Sequence, residues 1–209
     1  MFTDPRWSSF ELTERARARL QAYSTLLQDW GARINLVARS TLPEAEERHF
    51  LDSAQLMPLL PTGCKQMLDF GSGAGFPALV IAILAAEKPE LQDMKITLLE
   101  STGKKCHFLQ TVVDDLGLDQ VTIENRRVEA SSKLKADVIT ARALANLDKL
   151  LTLSFPYLKP ETICLFLKGE RATSELTDAS AQWTMEAIPH KSMTHELAQI
   201  LEIRKIKRV

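Results

Sequence analysis

The densest chemical signal in the chain is the run Asp69-Phe70-Gly71-Ser72-Gly73-Ala74-Gly75-Phe76-Pro77. A short apolar stretch, 66–70, precedes it, and a run rich in alanine, leucine and isoleucine, 77–87, follows. Such a sequence predicts strand, tight turn and helix in that order. Glycines at alternate positions, Gly71, Gly73 and Gly75, strip the β-carbons from one side of the turn. A ligand can then lie on bare backbone, beside the unpaired N–H groups of the helix start. Pro77 suits the helix entry, where its missing N–H would have no partner anyway. A glycine turn alone says little; its place between strand and helix gives it meaning.

Two cofactor classes use such a turn. Dinucleotide enzymes prefer G-x-G-x-x-G and set a pyrophosphate on the helix N-terminus. Here the spacing is G-x-G-x-G, and the acid Asp69 stands just ahead. A carboxylate there opposes a pyrophosphate but suits the ammonium and sulfonium charges of S-adenosylmethionine. The next predicted strand, 95–99, runs into Glu100, which can accept hydrogen bonds from two ribose hydroxyls in either class. The competing reading makes Glu100 a surface helix cap. On balance the residues point to S-adenosylmethionine, with Asp69, Gly71, Gly73, Gly75 and Glu100 at its site.

The elements that must hold this turn follow a regular order. After residue 62 strands and helices alternate: strands at 66–70, 95–99, 121–124, 136–140 and 162–167, and helices at 77–87, 104–116, 147–158 and 172–181. Two more strands are predicted at 183–188 and 199–206. Alternation of this kind implies an α/β fold, a Rossmann-like, mostly parallel sheet with helices on both faces, whose ligands bind beyond the carboxyl ends of the strands. Before residue 62 the texture is helical. Leu12, Ala16, Leu20, Tyr23, Leu27, Trp30 and Ile34 form one stripe at spacings of three and four. A second helix is expected after Pro43, with Glu44, Glu46 and Glu47 near its positive end. The chain thus divides into an N-terminal helical extension, 1–62, and a cofactor-binding domain, 63–209.

Composition narrows the function. Hydrophobic residues make up 45% and charged residues 25% of 209, an ordinary balance for a globular protein. No apolar run is long enough to span a bilayer, and residues 1–10 lack a secretory pattern, so a cytoplasmic protein is expected, with no membrane partner. Cys64, Cys106 and Cys164 are widely spaced, which fits buried thiols and neither a disulfide framework nor a metal site. The net charge of −1 excludes a protein-wide basic field for nucleic acid and leaves only local cationic clusters. A monomer is the expected state.

Longer motifs carry a specific resemblance. Asp-x-Gly-x-Gly-x-Gly-x-Pro from Asp69, then Leu98-Leu99-Glu100-Ser101-x-Gly103-Lys104-Lys105-x-x-Phe108-Leu109, resembles the bacterial small-subunit (16S) ribosomal RNA guanine-N7 methyltransferases, also called the glucose-inhibited division protein B family. Arg48-His49-x-x-Asp52-Ser53, Arg127-Val128-Glu129, Thr140-Ala141-Arg142-Ala143 and Leu167-Lys168-Gly169 resemble further segments of that family, in unbroken order over roughly 20–205. The resemblance implies a class I methyltransferase with S-adenosylmethionine as donor, and small-subunit ribosomal RNA or the 30S subunit as partner. It implies that Gly71 and Phe76 line the methionine and ribose part of the cofactor, that Val128 and Glu129 flank the adenine, and that Arg142 faces cofactor and substrate as the catalytic arginine. Lys104, Lys105 and Lys168, near the mouth of such a site, are then expected to hold RNA phosphates. Guanine N7 offers a free lone pair, so a general base is unnecessary and positioning supplies much of the acceleration. The Pro-Pro-aromatic and Pro-Cys motifs of amine and cytosine-carbon methylation are absent. His49 and Asp52, at i and i+3, fit an inter-helix hydrogen bond better than an RNA contact. The rival functions are a small-molecule methyltransferase of the same fold, a nicotinamide-dependent oxidoreductase and a catalytically silent cofactor-binding partner protein.

Overall fold

The computed structural model describes residues 2–130 and 134–209. Its centre is a seven-stranded sheet formed by β1 (Gln66–Phe70), β2 (Lys95–Glu100), β3 (Val121–Asn125), β4 (Val138–Arg142), β5 (Ile163–Lys168), β6 (Trp183–Lys191) and β7 (Gln199–Arg208). The spatial order is β3-β2-β1-β4-β5-β7-β6. The first five strands are parallel, while β7 runs antiparallel between β5 and β6. The chain order reverses between β1 and β4, and a sheet of this kind binds ligands beyond the strand ends at that point. The expected α/β, mostly parallel class is the observed one.

Helices cover both faces. On one face lie α1 (Glu14–Gly31), α3 (Ala78–Ala85) and α4 (Gly103–Leu116); α2 (Asp52–Ala54) packs against α3. On the other lie α5 (Leu147–Ser154) and α6 (Ala172–Ala179). All eight residues of α3, Ala-Leu-Val-Ile-Ala-Ile-Leu-Ala, are buried. A helix that is apolar all round needs cover on every side. The sheet covers one side, and α1 with α2 covers the other. The α1 stripe does this through Ala16, Leu20, Tyr23 and Leu27. The side chain of Thr13 caps the start of α1, and the helix ends at Gly31.

Two segments differ from expectation. The second N-terminal helix is instead a π-helical turn, Glu46–Leu51, running into the short α2. The wider turn lets two consecutive side chains, His49 and Phe50, both reach the ring of Phe76, with centroids 5.2 and 5.1 Å away. The other is a 3₁₀ turn at Pro5–Phe10, which buries Trp7 and Phe10 and has no counterpart in the sequence reading. Phe2, Trp7, Tyr23, Phe50 and Phe76 make one continuous aromatic cluster.

The glycine turn is pressed against this cluster. The Tyr23 hydroxyl donates to the Ala74 carbonyl. A β-carbon built on Gly75 would lie 2.7 Å from the Tyr23 hydroxyl and would also strike Leu79. Gly75→Ala is therefore expected to destabilise the fold by roughly 2–4 kcal/mol, through overpacking and a left-handed backbone. Urea denaturation would show this as a lowered midpoint at unchanged slope; an unmoved midpoint would mean that Tyr23 can step aside.

Candidate active site

The turn after β1 hangs from the end of β2. The amides of Gly71 and Ser72 donate to the Leu99 carbonyl at 2.8 and 3.3 Å. The Glu100 carboxylate takes the Gly73 amide on one oxygen at 2.9 Å and the Thr102 amide on the other at 2.8 Å. Glu100 thus fixes the turn and also serves the start of α4. The two readings of this acid, cofactor ligand and helix cap, are compatible, because each carboxylate oxygen has a second lone pair.

A cavity of about 420 Å³ opens over this turn. Gly71, Glu100, Val128 and Glu129, all expected at the cofactor, line it. Lys105 also lines it, half-buried, whereas Lys104 is exposed on the outside of α4. Lys105, expected on RNA, therefore faces the same cavity as the expected cofactor residues. Arg126, Arg127 and Lys149 add positive charge to the lining, and Lys149 pairs with Glu129 at 3.3 Å.

Five expected cofactor residues lie outside that lining: Asp69, Gly73, Gly75, Phe76 and Arg142. Gly75 is turned toward Tyr23 and Leu79, and a β-carbon on Gly71 would meet Leu144 at 2.7 Å, so the bare backbone is not all on one side. Gly73, at φ +58, has only the Gly71 carbonyl within 4 Å of such a carbon. Phe76 is 3% exposed, sealed between the rings of Tyr23 and His49 with the Arg142 guanidinium 5.0 Å from its centroid. Asp69 is buried beneath the turn. One Asp69 oxygen accepts from the Thr140 hydroxyl at 2.6 Å, and the other has no partner among the described residues. Burial pushes this carboxyl up to about 7.

The donor set fits S-adenosylmethionine. Glu100 offers acceptor lone pairs toward hydroxyls, the turn offers a glycine backbone, and the orphaned Asp69 oxygen suits an ammonium group. A cation near Asp69 would restore its charged form.

Arg142, at the tip of β4, faces the other way. Its Nη1 lies 3.1 Å from the Arg48 carbonyl, 3.0 Å from His49 Nδ1 and 3.4 Å from Asp52 Oδ2. It borders a second cavity of about 540 Å³, walled by residues of 44–55, by the β5 end at Lys168 and Gly169, and by the loop before β7. Ala143 lines both cavities, in a left-handed conformation at φ +53. Lys168, expected on RNA, is instead held inside: its ammonium binds Glu175 and the Ala145 carbonyl, both at 2.7 Å, and its side chain is 8% exposed. His49 is buried among structural contacts. Its nitrogens meet Thr41 and Arg142, and burial with the adjacent Arg142 charge holds its pKa down at about 4. Burial also pushes Cys64 and Cys164 up to about 12, so neither is a nucleophile.

Comparison with known proteins is decisive at this point. The family model described as rRNA small subunit methyltransferase G matches residues 16–205. The chain belongs to this family. Ribosomal RNA small subunit methyltransferase G of Paramagnetospirillum magneticum is 44% identical over 190 residues, 91% of this chain and 89% of that one. Its counterpart in Gluconobacter oxydans is 41% identical over 198 residues, covering 95% and 98% of the two chains. Among solved structures, M. jannaschii TYW2 in complex with AdoMet aligns with a TM-score of 0.55 at 15% identity, covering 86% of this chain and 80% of that one. A putative O-methyltransferase from Klebsiella pneumoniae aligns at 0.55 and 15%, covering 91% and 90%. These likenesses show the class I fold. The protein is a methyltransferase, and S-adenosylmethionine is its donor.

Sequence reasoning missed Tyr23 as the support of the turn, Thr140 as the partner of Asp69, and the Leu144–Gly71 contact. None has a local signal, because each acts across the fold. Asp52 had one, its spacing from His49, though its ties to Gln55 and Thr194 had none.

Two outcomes are expected. Glu100→Ala should weaken S-adenosylmethionine binding by roughly 1–3 kcal/mol; equal affinities by calorimetry would reduce Glu100 to a cap. Asp69 carries a raised pKa, so the folded state holds its proton more tightly than the unfolded chain between pH 3.8 and about 7. Its contribution to stability therefore falls as pH rises through that window. Asp69→Asn should melt higher than wild type at pH 8, by about 2–4 °C per kcal/mol recovered, with the gain vanishing below pH 4. A pH-independent difference would contradict the assignment.

Proposed function

We propose that the protein transfers a methyl group from S-adenosylmethionine to N7 of a guanine in small-subunit (16S) ribosomal RNA, acting in the cytoplasm. The observation that carries this reading is the meeting of two cavities at Ala143, beyond the carboxyl ends of the strands, inside a chain of this family. The relatives are named for methylation of ribosomal RNA of the small subunit, which gives the substrate class.

Bound S-adenosylmethionine supplies an electrophilic methyl: the N7 lone pair forms the new bond as the methyl–sulfur bond breaks and its electron pair goes to sulfur. The chain's own residues hold and orient. Glu100 and the glycine turn hold the ribose and methionine part, Val128 and Glu129 flank the adenine, and Asp69 balances the ammonium charge. Gly75 and Phe76 act indirectly, by fixing the turn. Arg142 positions the second cavity through His49 and Asp52, and no proton transfer is asked of it. His49, with both nitrogens engaged, is not a free base, which suits an acceptor without a proton. Lys104, exposed beside the cofactor cavity, and Arg127 at its rim contribute local attraction for phosphates without making the whole protein basic. Residues 1–62 serve as an extension that completes the second cavity, and 63–209 form the methyltransferase domain.

Mass mapping of modified nucleosides in small-subunit RNA, with and without the protein, tests the reading. A single new 7-methylguanosine is expected. Single-turnover rates at saturating cofactor should stay flat from about pH 6 to 8, because the acceptor has no proton to lose. A tenfold rise per pH unit, or a methyl on an exocyclic amine, would overturn it.

A further inference from the structure

Of the residues that line the second cavity, the family resemblance gives a role only to Arg142 and Lys168. Its volume of about 540 Å³ lies within the usual range for a small-molecule site. Most of the charged side chains on its walls are already paired. Arg48 pairs with Glu44, Glu47 with Arg6, Arg142 with Asp52, and Lys168 with Glu175. The lining is not a phosphate trap. It is a cleft with one rigidly held carboxylate.

That carboxylate is Asp52. Its side chain is 18% exposed, against 63% for Glu44 and 45% for Glu47 at the rim. One oxygen accepts from Gln55 Nε2 at 2.8 Å and the Thr194 hydroxyl at 2.9 Å. The other has only the long 3.4 Å contact with Arg142, so it keeps lone pairs toward the cavity. Gln55 and Thr194 belong to different parts of the chain, and the Met193 amide donates to Gln55 Oε1 at 2.8 Å, so the loop before β7 is fastened around the acid. Recognition needs groups held in place by their surroundings, and among the lining acids Asp52 is the one so held.

We propose that this cavity receives the acceptor guanine and that the Asp52 carboxylate binds its N1–H and N2 amino edge. The inference rests on the proposed guanine-N7 reaction. Guanine presents two adjacent donors on that edge, whereas adenine presents one donor and one acceptor, so a carboxylate distinguishes them. An enzyme that acts on a base takes it out of the stack and reads this edge in a pocket. N7 lies on the opposite side of the purine, so a base gripped by its donor edge presents N7 away from Asp52, toward the rest of the cavity where Ala143 adjoins the cofactor. Methylation places a positive charge on the purine, and a fixed, largely buried carboxylate favours that charge. Asp52 does this through hydrogen bonds to the base and takes no proton.

The test compares small-subunit RNA, assembled into subunits, that carries guanosine, inosine or 7-deazaguanosine at the mapped nucleotide. Inosine lacks the N2 amino group. With wild-type protein it is expected to lower kcat/KM by about ten- to a hundredfold, the loss of a hydrogen bond to a charged acceptor. In Asp52→Asn the guanosine and inosine substrates should differ less, by about two- to tenfold, on the same reckoning for a neutral acceptor. Equal use of inosine and guanosine by wild type would overturn the proposal, as would full discrimination retained in Asp52→Asn. If that variant loses its melting transition, Thr194→Val serves instead: loosening the carboxylate should reduce discrimination, and unchanged discrimination would count against Asp52. Methylation of 7-deazaguanosine RNA would instead overturn the N7 reading itself, and so separates the two failures.

Discussion

A tight turn through left-handed glycines leaves backbone N–H groups pointing inward with no strand or helix to receive them. In this protein the end of β2 receives them. The Leu99 carbonyl takes two, and the Glu100 carboxylate takes the Gly73 amide while its other oxygen takes the Thr102 amide. One side chain therefore ties the β1 turn to the start of α4. A charge-assisted hydrogen bond to a backbone amide is among the stronger ones available. The same carboxylate lines the cavity over the turn, so one group both ties the turn and shapes that cleft.

A second knot holds the acceptor side. Phe76, at the end of the glycine turn, carries Tyr23 and His49 stacked on it and the Arg142 guanidinium over it. These come from α1, the π-helical turn and β4, which the sequence separates widely. The N-terminal extension is thus more than a cover for the apolar α3. It supplies Asp52, Gln55 and Arg48 to the second cavity, and without it β4 and β5 would end on open solvent. Pairing of the local charges also explains how an overall charge of −1 is compatible with an RNA substrate: the attraction is needed at the rim, while the walls need fixed geometry.

Much of this was legible in the sequence because it is written in local patterns. Strand boundaries followed from apolar runs, the α1 face from its three-and-four spacing, and the glycine turn and Glu100 from their place after strands. What failed to show was direction. Spacing placed Gly75 and Phe76 in the motif but could not say that both turn toward Tyr23, because that depends on a helix fifty residues away. Lys168 read as a cation at a strand end; only the fold reveals Glu175 beside it. The π-helical turn was hidden for a related reason. Its pattern of buried Ala45, Phe50, Leu51 and Ala54 is compatible with an ordinary helix, and the wider turn arises from packing two neighbours, His49 and Phe50, on one ring.

Three locally unfavourable features lie side by side where the two cavities meet. Asp69 keeps one oxygen buried without a partner, Ala143 adopts a left-handed backbone without being glycine, and Arg142 is a charge withdrawn from water, which pushes its pKa down. Each lowers the stability of the fold by itself, and backbone strain of this kind costs on the order of 1–3 kcal/mol. Two of them are electrostatic and opposite in sign: a cationic cofactor beside Asp69 would relieve the first, while the Asp52 carboxylate already answers the second. Elsewhere the sheet and α3 are packed with apolar side chains buried to the last atom, each contributing roughly 1.5–3 kcal/mol. The scaffold supplies stability in excess at its centre, and the tips of β1 and β4 give some of it up so that ligands, once bound, have unmet interactions to complete.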